Sequence, residues 1–487
     1  QKGEGAIQVA VSQAVVPADR TTIPGRTPMT DHSPPPPSRL TYEQALAFWY
    51  ARANYEVRSP RPGDLTLDRM RGLLRLLGDP HEGLRIVHVA GSKGKGSTSA
   101  MLASVLGRAG YRTGLFTSPH LSRIEERIQV DGQPVTAEEL TALLADVRAV
   151  VEGAGLRPTF FEIATALGFL HFRRRRCDAA VVEVGLGGRL DSTNVCRPAV
   201  AIITSISFDH TQVLGNRLAS IAREKAGIVK PGRPVVSGAT APEARQVIEQ
   251  VCRERGAPLR QLGVDFSYRY EPGRETAGES IPARVQFLAP PPRRRGWPVM
   301  ELGLLGEHQA ANAAVAIACV EELRGQGWHV PDAAVAAGLA GVRWPARLEV
   351  VQRRPLVVLD CAHNRASAAA LVDALAASFP PAGPRGPHRY LIFAGSADKD
   401  LVGMFEVLAP HFRHAFLTRY ANSPRAVPPE QLADLLGRVG GLPCTVCPTA
   451  PEAWHAARAA AGLDDLICVT GSVFLAGELR PLLTGRV

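Results

Sequence analysis

The sequence predicts an α/β protein built on largely parallel sheets with helices on both faces. Three observations carry that prediction. Short, continuous apolar runs at 86–90, 178–184 and 199–204 alternate with segments of helical period. A glycine-rich turn at 91–96 joins the first of these runs to a helix. After Trp344-Pro345 the same alternation resumes, so a second α/β series follows the first.

The elements follow in chain order. Residues 1–39 contain Pro34-Pro35-Pro36-Pro37 and little apolar periodicity, and are expected to form a disordered, Pro-rich extension. Met29, just before ordered-looking sequence begins, is the expected natural start, which N-terminal sequencing of native protein would test. Thr41-Tyr42-Glu43-Gln44 opens a helix. Strand 86–90 leads through the glycine turn to a helix at 97–109, closed by Gly110. Leu115-Phe116 ends a second strand. Thr136–Glu139 and Thr159–Glu162 are capping boxes that start two further helices. The segment 259–305 is alternating, Pro-interrupted and helix-poor, which predicts an antiparallel β excursion. An Ala-rich helix follows at 308–325, and 341–345 reads as a boundary. Beyond it, strands are expected at 356–359, 390–394, 415–417 and 466–470. The resulting division is an extension at 1–39, a larger domain at 40–342 and a smaller one at 343–487.

Composition narrows the function classes. With 45% hydrophobic and 21% charged residues over 487 positions, the chain can bury large cores without staples. Eight Cys are far too few for a disulfide scaffold. The longest apolar run, 313–320, falls well short of the roughly 20 residues of a membrane span. No signal-peptide order is present near the N-terminus, so the expected compartment is the cytoplasm and no membrane partner is expected. The surplus of 56 Lys+Arg over 46 Asp+Glu gives +10. Its dense runs, 173–176 and 293–295, lack interleaved aromatics and read as a solvated helix end and a loop, so nucleic acid is not an expected partner.

Chemistry concentrates at strand ends. Gly91-Ser92-Lys93-Gly94-Lys95-Gly96-Ser97-Thr98 has the strand–loop–helix context of a phosphate-binding loop. Its backbone N–H groups and helix N-terminus suit an anion, Lys95 can reach outer phosphates, and Ser97 can ligate Mg2+. Gly96 between Lys95 and Ser97 makes the match to the common pattern imperfect. Glu183 ends an apolar strand before Gly185-Leu186-Gly187-Gly188-Arg189-Leu190-Asp191-Ser192. It is either a strand-end surface residue or a Mg2+ ligand. His210, after Asp209, offers a metal ligand or a proton-transfer group, or is a polar loop residue. Lys225 at a helix C-terminus reads, by itself, as a complement to the helix dipole. Asp360 and His363 flank Cys361-Ala362 at a strand-to-helix turn, a ligand position in a doubly wound sheet. Cys444-x-x-Cys447 has no second Cys/His pair nearby and is read as structural.

Taken in order, these motifs resemble the folylpolyglutamate synthase/dihydrofolate synthase family within the Mur-ligase-like ATP-dependent amide ligases. The resemblance runs from about Leu40 to the C-terminus. It rests on 91–98, 117–121, 126–128, Phe161-Glu162, 183–194, 209–211, 224–230, 308–312, 347–349, 360–364 and 398–400, the 183–191 element being the most specific. It implies a P-loop ATPase domain followed by a smaller Rossmann-like domain, with catalysis in the cleft between them. It implies that Gly94, Lys95 and Gly96 hold ATP phosphates, and that Ser97, Glu183 and His210 ligate Mg2+. Asn312, Arg347, Asp360 and His363 would complete the nucleotide site. Lys95, His210 and Lys225 would be catalytic, Lys225 matching a lysine that is carbamylated in the family. Phe160, Phe161, Glu162, Asp191 and Ser192 fall in segments that resemble its pterin-binding elements.

The implied reaction activates a carboxylate of dihydropteroate or a reduced folate as an acyl phosphate, which the amino group of L-glutamate then attacks. The implied partners are these small molecules alone, and the family pattern favours a monomer. A Mur-type cell-wall ligase and a non-catalytic nucleotide-binding homologue are the alternative readings. The sequence departs from the family pattern at Lys93, where Asn is usual, at Ser207-Phe208 and at Cys361. Lys93 adds a cation and is expected to alter nucleotide affinity.

Overall fold

The computed structural model describes residues 40–56, 63–208, 211–290, 296–380, 387–421, 423 and 425–485. The expected extension at 1–39, its Met29 start, the 293–295 arginines and His210 lie outside them.

Eight strands form the first sheet: β1 (Arg85–Ala90), β2 (Thr113–Phe116), β3 (Ile128–Val130), β4 (Gln133–Pro134), β5 (Ala179–Glu183), β6 (Val200–Ile203), β7 (Val235–Ser237) and β8 (Leu259–Gln261). Their order is β4-β3-β2-β5-β1-β6-β7-β8. From β2 through to β8 every pairing is parallel, and β3 and β4 add an antiparallel edge. The middle strands β5, β1 and β6 are buried almost throughout, because helices cover both faces. Each fully buried Val or Ile there contributes about 1.5–3 kcal/mol, which fixes the register of β1 between β5 and β6. The chain leaves β1 toward β2 and β5, then crosses to β6 on the other side. The carboxyl end of β1 is therefore a topological switch point, where open α/β sheets form a crevice.

Local chemistry sets the helix starts. Thr41, Thr136 and Thr159 each close a capping box with the residue three positions on, opening helices Tyr42–Tyr50, Ala137–Gly153 and Phe160–Arg174. Exposed Arg174 and Arg175 pair with Asp146 and Glu139, so this part of the 173–176 run is a solvated helix end.

The predicted β excursion is present but begins later than expected. Residues 259–261 are β8 and extend the parallel sheet instead. The antiparallel part comprises β9 (Ser267–Glu271), β12 (Ala283–Leu288) and β13 (Met300–Leu302), with a small hairpin of β10 (Arg274–Glu275) and β11 (Ser280–Ile281). Alternate residues of β12 are buried against the Glu307–Gly325 helix side of the core, as one-sided sheets require.

The second sheet contains β14 (Glu349–Arg353), β15 (Leu356–Leu359), β16 (Arg389–Phe393), β17 (His414–Leu417), β18 (Cys444–Val446) and β19 (Leu466–Thr470). Its order is β14-β15-β19-β16-β17-β18, parallel except for β14. Two of these strands are absent from the sequence reading. β14 is a half-buried antiparallel edge, and β18 is a three-residue exposed edge that carries Cys444. No described helix is long and apolar enough to cross a membrane.

Candidate active site

The phosphate-type loop leaves the carboxyl end of β1 and enters the Lys95–Arg108 helix. This helix starts two residues before the expected Ser97. Gly94 is its N-cap at φ +84°, so Lys95 and Gly96 already belong to the first turn. Gly94 is confined twice over: the positive φ disfavours side chains, and a Cβ would run into the Asn312 amide oxygen. Asn312 itself is buried and held by its amide nitrogen, which donates to Gln309 Oε1 at 3.0 Å. At Gly96 a Cβ would stand 3.1 Å from Trp344 Nε1, so an indole borders the loop.

The segment after β6 braces the loop from the other side. Ser92 N donates to Ser205 O at 2.7 Å, and Ser92 Oγ donates to Ser207 O at 2.9 Å. Lys93 N donates to Ser205 Oγ at 3.0 Å, and Lys93 O accepts from Thr204 Oγ1 at 2.6 Å. The backbone at Ser92 and Lys93 is thus set by protein hydrogen bonds to the 204–207 segment, which fixes the root of the loop before the helix begins.

Glu183 ends β5, next to β1, and is 4% exposed, which excludes the surface reading. Its Oε1 lies 3.9 Å from Lys95 Nζ, and its Oε2 accepts from Ser118 N at 3.3 Å. Burial pushes the Glu183 carboxyl up to about 7, against the lowering pull of Lys95. Ser97 is buried in the first turn of the Lys95–Arg108 helix. Among the described residues no group of three or more His, Cys, Asp or Glu is arranged to hold a metal. Ser97 and Glu183 both carry oxygen donors of the hard type that suits Mg2+ with phosphate oxygens.

Lys225 does more than complement a helix dipole. It is buried near the end of the Leu218–Ala226 helix, and its Nζ donates to Gly91 O at 2.8 Å, at the root of the phosphate-type loop. The glycine segment after Glu183 makes this approach possible. A Cβ on Gly188 would meet Glu224 O at 2.8 Å and Lys225 O at 2.9 Å. Asp191 pins the same segment: one carboxylate oxygen accepts from Gly185 N and Leu186 N at 3.0 and 2.9 Å, the other from Thr193 N at 3.0 Å. Ser192 Oγ is 2.6 Å from Thr165 Oγ1, inside the core.

The aromatic pair of the Phe160–Arg174 helix divides its work. Phe160 is buried and stacks on Trp49 with centroids 4.9 Å apart. Half-buried Phe161 lies over Gly185, where a Cβ would strike its ring. Glu162 is buried and occupied: its carboxylate accepts from Thr159 N and pairs with Arg69 Nε, both at 2.7 Å. Arg127, part of the 126–128 motif but given no role there, organises the neighbouring loop. It forms a bidentate pair with Glu56 at 2.7 Å and donates to His120 Nδ1 at 2.9 Å. Burial, then the Arg127 charge, lowers His120 to about 4.

The second sheet faces this crevice with the turn after β15. Asp360 accepts from Leu348 N at 3.1 Å and Ala362 N at 2.7 Å, which shapes the turn. Burial lowers the Arg347 pKa, but the Cys361 thiol and the carboxylates of Asp360 and Glu183 together hold it above its ordinary value. His363 Nε2 is 3.1 Å from Lys93 Nζ, a contact between the turn and the phosphate-type loop that sequence spacing gave no means of finding.

Comparison with known proteins bears on this arrangement. Residues 89–320 match the Mur ligase middle domain, and residues 346–473 match the Mur ligase glutamate ligase domain. The Bacillus subtilis dihydrofolate synthase/folylpolyglutamate synthase is 35% identical over 90% of this chain and 98% of its own length. The Lacticaseibacillus casei folylpolyglutamate synthase is 35% identical over 86% and 94%. Among solved structures, E. coli FolC in complex with DHPP and ADP superposes with a TM-score of 0.78 at 30% identity, covering 93% of this chain and 100% of that one. Mycobacterium tuberculosis folylpolyglutamate synthase complexed with ADP and AMPPCP gives 0.79 at 31% identity, covering 91% and 98%.

Proposed function

Since the chain belongs to the folylpolyglutamate synthase/dihydrofolate synthase family of Mur-type ligases, we propose that its crevice joins L-glutamate to dihydropteroate, to reduced folates, or to both. It is an ATP-dependent ligase of folate metabolism. The observation that carries the proposal is the meeting of Lys95 and buried Glu183, 3.9 Å apart, at the adjoining carboxyl ends of β1 and β5.

A carboxylate is a poor acyl donor. Transfer of the ATP γ-phosphoryl group to it gives an acyl phosphate and ADP. The glutamate amine attacks the acyl carbon, and phosphate leaves as the amide forms. Phosphoryl transfer calls mainly for positioning and charge neutralisation. Gly94, Lys95 and Gly96 hold the phosphates in this proposal, Lys95 serving as the mobile cation. Asn312, Arg347, Asp360 and His363 complete the nucleotide site. Ser97 and Glu183, with His210, would hold Mg2+, which when bound neutralises phosphate charge. Lys225 is proposed to carry a carbamate, which replaces a cation by oxygen acceptors; its burial and its reach to Gly91 support a role at the phosphates. Phe161 is proposed to face the pterin. Phe160, Glu162, Asp191 and Ser192 support that surface through the core and loop bonds described above.

We extend the proposal to an ATPase half at 40–342, a ligase half at 343–487, a monomeric enzyme and a cytoplasmic location. The whole-chain relatives carry folate names, which favours a folate substrate over a cell-wall peptide. The deciding experiment measures ADP release with Mg2+ and glutamate, comparing dihydropteroate with tetrahydrofolate and identifying products by mass. Turnover with dihydropteroate alone, tetrahydrofolate alone or both assigns the activity. Turnover with neither rejects the proposal.

A further inference from the structure

Lys93 and His363 lie 270 residues apart in the chain, yet their side chains meet at 3.1 Å. One belongs to the loop after β1 and the other to the turn after β15, so the contact ties the two sheets together at their carboxyl ends. The geometry fixes its chemistry. His363 Nδ1 sits 2.8 Å from the Cys361 carbonyl, which can only accept, so Nδ1 carries the proton. Nε2 then offers its lone pair to the Lys93 ammonium. Both backbones are held independently of the contact: Lys93 by Thr204 and Ser205, and His363 by its N–H, which donates to Ser367 Oγ at 3.1 Å. Neither side chain has to search far for the other, so little ordering entropy opposes the bond.

We infer that Lys93 is a positioning residue that latches the 360–364 turn onto the phosphate-type loop and so keeps the crevice closed during turnover. The consequence of the latch rests on the ligase reading above. An acyl phosphate exposed to water returns the carboxylate and phosphate, with ADP already formed and no amide made. A latch acting through His363 limits that loss. This differs from a direct grip on the nucleotide, the role that sequence position alone suggests for a cation in this loop.

The test uses the full chain and two readouts. In substrate-free protein, hydrogen exchange of the peptide covering 360–364 is compared in wild type, Lys93→Asn, Lys93→Arg, His363→Gln and the double variant Lys93→Asn/His363→Gln. Lys93→Asn speeds exchange about tenfold, the order expected for loss of a charge-assisted hydrogen bond. Lys93→Arg, which keeps a donor, restores the wild-type rate. Lys93→Asn adds nothing in the His363→Gln background, because the two residues act as one unit. In turnover, ADP formed per amide rises at least about twofold in Lys93→Asn and returns in Lys93→Arg, as expected when water gains access. Unchanged exchange at 360–364 in Lys93→Asn overturns the latch, and so does additivity in the double variant. If Lys93→Asn does not fold, Lys93→Gln takes its place under the same criteria. Wild-type protein that forms no amide rejects the ligase reading, while the exchange data still decide the latch.

Discussion

Lys95 and Glu183 limit what can replace either of them. Lys95→Ala removes the cation that offsets a buried carboxylate, and Glu183→Ala removes that carboxylate. Each is expected to reduce ligation by about 10²–10³-fold or more, as loss of one preorganised charge does at other sites, while circular dichroism stays native. Product mass spectrometry checks this, and near-normal turnover in either variant rejects the assigned roles. Two residues also give opposite pH signatures to stability. His88 is fully buried on β1, with Nε2 on Thr193 Oγ1 at 2.8 Å, and burial lowers it to about 3. A neutral His88 stabilises the fold above its ordinary value of about 6.5, and that contribution is lost as pH falls toward about 3. Glu183, raised to about 7, acts in the reverse sense: its contribution is present below about 4.5 and is lost as pH rises through about 7. Urea midpoints measured from pH 4 to 8 are therefore expected to respond oppositely. His88→Gln removes a rise with pH, and Glu183→Gln removes a fall. Shifts in the same direction contradict the assignment.

At the scale of elements, one carboxylate holds three backbone amides of the 185–194 segment. Asp191→Ala strips acceptors from Gly185 N, Leu186 N and Thr193 N inside the protein. The expected loss is about 1–3 kcal/mol, read as a lower urea midpoint with unchanged slope. Asp191→Asn keeps one acceptor and should lose less. This is also the scale at which the sequence was most legible. Capping boxes at Thr41, Thr136 and Thr159 involve partners three residues apart, so their hydrogen bonds follow from local spelling. The continuous apolar runs of β1, β5 and β6 likewise announce strands buried on both faces. β18 left no such trace, because all three of its residues are exposed and carry no periodicity. β8 is too short for its pattern to separate it from the antiparallel strands that follow. The early helix start at Lys95 was hidden by Gly94 and Gly96, which read as turn. Read from the residues without the family resemblance, the site was legible only as separate strand ends. The destination of Lys225, Gly91, is 134 residues away, and that of Lys93 is 270 away, distances that only the folded sheets close.

Across the whole molecule, a helix beside the second sheet meets a loop of the first at a second place. A Cβ on Gly477, in the Val473–Thr484 helix, would strike the Leu121 carbonyl, and Ser122 Oγ donates to Gly477 O at 3.2 Å. Gly477→Val is expected to push the second sheet off the 117–122 loop. Misplacement on the order of 1 Å can lower turnover about a hundredfold, so kcat should fall steeply while small-angle scattering reports a larger radius of gyration. An unchanged radius with wild-type kcat refutes that coupling. The strands themselves do not interleave: those of the first sheet end at residue 261, and those of the second begin at residue 349. One covalent crossing therefore separates two complete sheets. In genetic terms, a single recombination near residues 342–346 exchanges a whole second sheet without cutting any strand ladder. A lineage can thus trade the half that matches the glutamate ligase domain while inheriting the phosphate-type loop intact, and chimaeras joined at that seam are the natural starting material for learning what each half contributes.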